Sequence, residues 1–220
     1  MALGKQAKTI NDKQAKAILN HLADARYRVR DRVVFLLSIK AGLRSKEIAN
    51  LTWGMVTDSD GKIADVIAVQ NVASKGKNGG REIPVHPDLK AALVALQAHR
   101  GDLAAPERPV VHSERGPGMS ANSVTVWFHR LYKGLGMDGC SSHSGRRTFV
   151  TKAAHKIVEA GGSLRDRRAA ASRPYQPRHD PAVHRGKQRR QAQGHSDDLI
   201  PAWDAPLPPR VLAHLQTFRG

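Results

Sequence analysis

Three short stretches of this 220-residue chain concentrate side chains able to handle a negatively charged oxygen. The first is Ala41-Gly42-Leu43-Arg44-Ser45-Lys46-Glu47-Ile48, with Leu51 and Trp53 after it. An arginine at the junction of a buried helix and a short capped one can be held rigidly, and its planar fork suits two phosphate oxygens at once. The plainer reading is a surface arginine paired with Glu47. The second stretch is Ser74-Lys75-Gly76-Lys77-Asn78-Gly79-Gly80-Arg81, where two ammonium groups on a glycine-rich tip can reach a phosphate or a leaving oxygen. Lysines that only guard a sheet edge would look the same. The third is Ser141-Ser142-His143-Ser144-Gly145-Arg146-Arg147-Thr148-Phe149. His143 and Arg146 stand three apart, so they share a face at the start of a helix whose N-terminal amides also favour an anion. Histidine moves protons near neutral pH and arginine neutralises charge developing on phosphate. A histidine that merely caps the helix is the alternative.

The elements that must position these groups follow from periodicity. Asn11 caps a helix with Ala15, Ile18, Leu19 and Leu22 on one face. A second helix runs from about Arg28 to Lys40 with Val29, Val33, Leu36 and Leu37 inward, and Gly42 is placed to end it. Ser45 is expected to cap a short helix that turns Ile48 and Leu51 inward. The helical period then disappears. Val66-Ile67-Ala68-Val69 and Glu82-Ile83-Pro84-Val85 flank a Lys-Asn-Gly-Gly turn and read as a hairpin, with Pro84 placing the second strand at an edge. Helices resume at about Pro87–His99, Ser120–Leu135 and His143–Ile157. The class is α+β, mainly helical, with one small antiparallel β element.

Composition narrows the partner. The chain holds 36 Lys and Arg against 19 Asp and Glu, a net charge of +17 with 11 His besides. An excess of that size repels itself in a compact monomer and points to a polyanion, with nucleic acid ahead of an anionic membrane surface. The apolar runs are too short to span a bilayer, and the N-terminus lacks an apolar signal core, so a cytoplasmic protein without a membrane partner is expected. One cysteine, Cys140, excludes an internal disulfide framework and a zinc ribbon. No Walker-type glycine loop supports nucleotide-driven chemistry.

In order and spacing, Gly-Leu-Arg-x-x-Glu-Ile-x-x-Leu-x-Trp, the lysine-bearing hairpin ending Arg-Glu-Ile-Pro-Val, and His-x-x-Arg-Arg-Thr-Phe resemble the tyrosine recombinase (phage integrase) family over roughly residues 10–166. The resemblance implies a mainly helical catalytic domain that cuts and rejoins double-stranded DNA without metal, nucleotide or other cofactor, and that acts as a tetramer on DNA. Arg44 looks like the first catalytic arginine, Lys75 like the hairpin lysine that protonates the leaving 5′ oxygen, and His143 and Arg146 like the histidine and second arginine. Lys77, on the same tip, competes with Lys75. In the family a tyrosine attacks the phosphodiester and holds the strand as a 3′-phosphotyrosine, while the arginines clamp the phosphoryl oxygens. A third reading, Ser45–Val56 as part of a helix-turn-helix regulator, is opposed by the hairpin and the His-x-x-Arg box.

The chain departs from the family at both ends. The family's Gly-His pair, followed nine residues after the His by the nucleophilic Tyr, is not found: no Tyr follows Gly194-His195, and Tyr175 lacks the context. From Arg167 to Gln193 there are eight Arg or Lys, one acid, and no Leu, Ile, Met or Phe, a composition unable to offset chain entropy by burial. Residues 1–166 therefore read as the catalytic domain, and residues 167–220 as an atypical Arg/Ala/Pro-rich tail expected to be poorly ordered. Reading the codons of residues 171–186 one base later permits Gly-His followed nine residues on by Tyr, so a frameshift beginning near Asp166 is the natural explanation. At the other end only 43 residues precede Arg44, and no separate DNA-binding domain is expected. Two function classes remain: an enzyme of DNA breakage and rejoining, and a DNA-binding remnant that keeps the arginine pocket.

Overall fold

Val33 to Ile39 form an uninterrupted buried run, and in the computed structural model they lie on a helix enclosed by its neighbours. The structure describes residues 6–70, 81–114, 116 and 118–159. Its elements, in chain order, are α1 (Asp12–Ala23), α2 (Arg28–Ile39), α3 (Ser45–Ala49), β1 (Val66–Val69), β2 (Arg81–Pro84), α4 (Pro87–Arg100), α5 (Ala121–Gly134) and α6 (Ser144–Glu159). Helices α1, α3, α4 and α6 all pack on α2, while α5 packs on α3. Four neighbours explain why α2 is apolar on every side from Val33 to Leu37 rather than along one stripe, which is the pattern of a core helix and broader than the face the period predicts.

The surrounding helices begin where their caps dictate. Asn11 accepts from the Gln14 N–H at 2.8 Å and the Gln14 side chain accepts from the Asn11 N–H at 3.0 Å, a reciprocal cap on α1. Ile18 and Leu22 are buried, with Ala15 and Leu19 half-buried against them. Proline at the first position starts α4, and the Ser120 side chain caps α5 by accepting from the Ser123 N–H. For α3 the expectation is corrected. Arg44, not Ser45, occupies the cap position, because the Glu47 carboxylate turns back to accept from the Arg44 N–H at 2.8 Å.

The hairpin is antiparallel and pairs Val66 with Pro84, Ile67 with Ile83, Ala68 with Glu82 and Val69 with Arg81. Ile67, Val69 and Ile83 face the core. The second strand starts at Arg81, one residue earlier than expected, and ends at Pro84, whose missing N–H is harmless in a two-stranded ribbon. Residues 71–80, with Lys75 and Lys77, lie outside the described residues.

The segment before α1 is tied to α6. Ile10 is buried, and its N–H donates to Thr148 Oγ1 at 2.8 Å; the Lys8 N–H donates to the Gly139 carbonyl at 2.9 Å. Lys152 pairs with Asp12 farther along the same helix. Among the described residues, no helix is long and apolar enough to cross a membrane.

Candidate active site

Two glycines set the floor of the site. Gly42 turns the chain after α2 at φ +64°, and a Cβ there would come within 2.5 Å of the Phe149 ring. Gly145 sits so close to α2 that a Cβ would meet Ser38 Oγ at 2.3 Å and the Ser38 backbone carbon at 3.1 Å. Gly145 thus lets the start of α6 close on Ser38, and Gly42 leaves room for the Phe149 ring. This close seam brings the Arg44 loop against the start of α6, although the two are a hundred residues apart in sequence.

Arg146 crosses the seam. Its Nη1 donates to the Gly42 carbonyl at 2.5 Å, which anchors the guanidinium beside the Arg44 turn. Burial lowers its pKa to about 10, with the Arg44 charge next in weight; Glu47 opposes the shift and Arg81 adds to it. An arginine remains charged at that value, and the shift records mainly the burial of the guanidinium.

Among the described residues, Glu47 is the carboxylate that stands with these three arginines, and its side chain is 1% exposed. Arg81 grips it through Nη1–Oε1 at 2.8 Å and Nη2–Oε2 at 2.7 Å, and Arg44 Nη1 reaches Oε1 at 3.1 Å. Burial pushes the Glu47 carboxyl up. The Arg81 hydrogen bonds, the Arg44 N–H and both positive charges outweigh that, so its pKa falls below the ordinary value. With three guanidinium groups around one carboxylate, the cluster carries a surplus positive charge. Arg44, whose side chain is 44% exposed, presents it to solvent.

His143 is exposed and immediately precedes α6. Its N–H donates to Ser141 Oγ at 3.3 Å. His143 stands three residues before Arg146, at the start of the same helix. Of the four residues expected in the site, the structure joins Arg44 and Arg146 through the Gly42–Gly145 seam and sets His143 at the same helix start. Lys75 lies outside the described residues, as do Tyr175 and Gly194-His195. Sequence reasoning placed Arg81 at the end of the hairpin tip but gave it no role in the site. It also took the Arg44–Glu47 pair for a surface alternative to a phosphate site, whereas the pair is half of the site's buried support.

The sequence profile of the phage integrase family matches residues 8–165. The chain belongs to the phage integrase family. Among curated members, the tyrosine recombinase XerC of Xylella fastidiosa (strain 9a5c) is 28% identical over 165 residues, covering 74% of this chain and 51% of XerC. The chain thus spans about half the length of the curated relative it matches. Among solved structures, the Tn1549 transposon integrase in complex with transposon right end DNA superposes with a TM-score of 0.57 at 19% identity, covering 76% of this chain and 58% of that one. The XerA recombinase gives 0.57 at 16% identity over 80% and 58% of the two chains. The lambda integrase bound to DNA gives 0.54 at 16% over 74% and 56%. At these identities the structural likeness shows the integrase fold, a mainly helical body with one small antiparallel sheet. Among the described residues no cluster of three or more His, Cys, Asp or Glu side chains could hold a metal ion.

Proposed function

We propose that this integrase-family chain binds double-stranded DNA at a scissile phosphodiester through Arg44 and Arg146, and that it is the phosphate-gripping part of a site-specific recombinase. One observation carries the reading: Arg146, held on the Gly42 carbonyl, stands beside the turn where Arg44 and Arg81 share the buried Glu47 carboxylate, and positive charge is left over. In the complete reaction, a tyrosine hydroxyl attacks phosphorus, the P–O bond to the 5′ oxygen breaks, and the strand is held as a 3′-phosphotyrosine. The arginines neutralise the negative charge that grows on the non-bridging oxygens, His143 holds or passes a proton at the same phosphate, and Lys75 protonates the departing 5′ oxygen. The DNA-bound integrases with the same fold support DNA as the partner, and the family's habit of acting in tetramers extends to this chain as part of the proposal.

The nucleophile is where this chain falls short. Tyr132 is buried in the core, and burial raises its pKa well above the ordinary tyrosine range; Tyr27 lies beneath the guanidinium groups of Arg26 and Arg30. Neither is offered to the arginine site. The family match ends at residue 165, one residue before the composition break at Asp166, which supports a frame change there. A nicked suicide DNA substrate tests this. The chain as it stands should form no covalent protein–DNA complex, whereas the product of a gene corrected by one base near Asp166 should trap one. An adduct mapped to Tyr175 in the present chain would overturn the reading. So would codons for residues 171–186 that do not spell the Gly-His and Tyr box in the shifted frame.

A further inference from the structure

The carboxylate of Glu47 is shared unequally. Each of its oxygens accepts a short bond from a different terminal nitrogen of Arg81, at 2.8 and 2.7 Å, which is the parallel two-bond geometry natural to an arginine–carboxylate pair. Arg44 contributes its backbone N–H at 2.8 Å but only one side-chain bond, at 3.1 Å. Exposure divides the same way. The Arg81 side chain is 21% exposed, its Nε is buried, and both terminal nitrogens are turned to Glu47, whereas Arg44 stands more open. Arg81 is also fixed from behind, because it begins β2 and pairs with Val69.

We infer that Arg81 is a positioning residue of the anion site, which occupies both oxygens of Glu47 so that Arg44 remains available to a phosphate. The inference rests on Arg44 being the phosphate-binding arginine proposed above. The physical reason lies in the cost of an unpaired buried charge. Without Arg81, the Glu47 carboxylate would be buried with a single weak side-chain partner. The nearest guanidinium able to relieve it belongs to Arg44, three residues away on the same turn. Arg44 would close on Glu47 in a two-bond pair, and its charge and planar fork would be lost to the ligand. Arg81 thus acts on DNA through Arg44, without touching it.

The test uses the full chain and a fluorescein-labelled duplex DNA of mixed sequence, titrated over a range of salt concentrations. Arg81→Ala should weaken binding and reduce the salt slope by about one, as Arg44→Ala does. The Arg44→Ala/Arg81→Ala double variant should be no weaker than Arg44→Ala alone. Arg81→Lys keeps the charge but not the two-bond geometry, and should fall between wild type and Arg81→Ala. A double variant whose slope drops by about two would mean that Arg81 meets a phosphate itself and would overturn the inference, as would a wild-type slope in Arg81→Ala. Where Arg81→Ala loses its native circular dichroism, Arg44→Ala/Arg81→Lys against Arg44→Ala makes the same comparison, with an additive loss again overturning it. A wild-type slope in Arg44→Ala would instead remove the phosphate reading beneath the inference.

Discussion

At Arg30 the guanidinium closes on Asp31 through Nε at 2.8 Å and Nη2 at 2.7 Å, with both side chains 9% exposed. The Tyr27 ring covers it at 4.3 Å, and its remaining reach goes to the His112 carbonyl. At Glu47 a carboxylate is buried still more deeply, yet two arginines share it, the charge of Arg146 stands nearby, and Arg44 is left half open. The first pair is balanced and sealed, and it holds α2 to the residues around His112. The second is over-supplied with positive charge and faces water. Burial of an ion pair says nothing by itself about function. The surplus charge and the open side chain are what support the proposed anion site.

The largest effects should come from removing either carboxylate. Asp31→Ala strands the buried Arg30 and Glu47→Ala the half-buried Arg81, and each should cost up to about 3–5 kcal/mol in urea unfolding. Only the Glu47 variant should also change the salt dependence of DNA binding. Equal changes in both would dissolve the contrast between the two regions. Next comes the seam. Gly145→Ala places a methyl within 2.3 Å of Ser38 Oγ and should destabilise by roughly 1–3 kcal/mol, although alanine ordinarily favours a helix over glycine. It should weaken DNA binding as well, since Arg146 rides on that contact. A stabilised Gly145→Ala protein would show that the seam has slack.

Acid should separate the regions by pH. Burial, then the charges of Arg100, Arg30 and His99, lower the His112 pKa from 6.5 to about 4. Between those values the unfolded chain binds a proton that the folded one does not. The His112 contribution is therefore complete above pH 6.5 and lost as the pH falls toward 4. Glu47, whose pKa is lowered from 4.5, contributes above that value and is lost only in stronger acid. His112→Gln should flatten the first window and Glu47→Gln the second, read as urea midpoints against pH. A wild-type midpoint constant from pH 7 to pH 4 would contradict the assignment of His112. The smallest change in stability is expected for Arg44→Ala, within about 0.5 kcal/mol, because the side chain is exposed and Arg81 still satisfies Glu47.

Helix spacing and the pairing of the two strands were legible because they depend on local pattern: Asn11 and Gln14 cap each other, and Ile67 and Ile83 alternate inward whatever packs on them. The full burial of α2 was not, since it depends on four helices drawn from both sides of it along the chain. Arg44, His143 and Arg146 could be named from local motifs. Arg81 could not be given its role that way, for a bidentate partner 34 residues from Glu47 is a fact of tertiary structure alone. The misplaced cap has the same origin. Serine is the better cap in isolation, but a buried glutamate held by Arg81 draws the Arg44 N–H to itself.

The central claim is that the Gly42–Gly145 seam assembles two arginines into a phosphate site, and the salt dependence of duplex DNA binding tests it most directly. Arg44→Ala and Arg146→Ala should each lower affinity and reduce the slope of log affinity against log salt by about one. Slopes equal to wild type in both variants would contradict it.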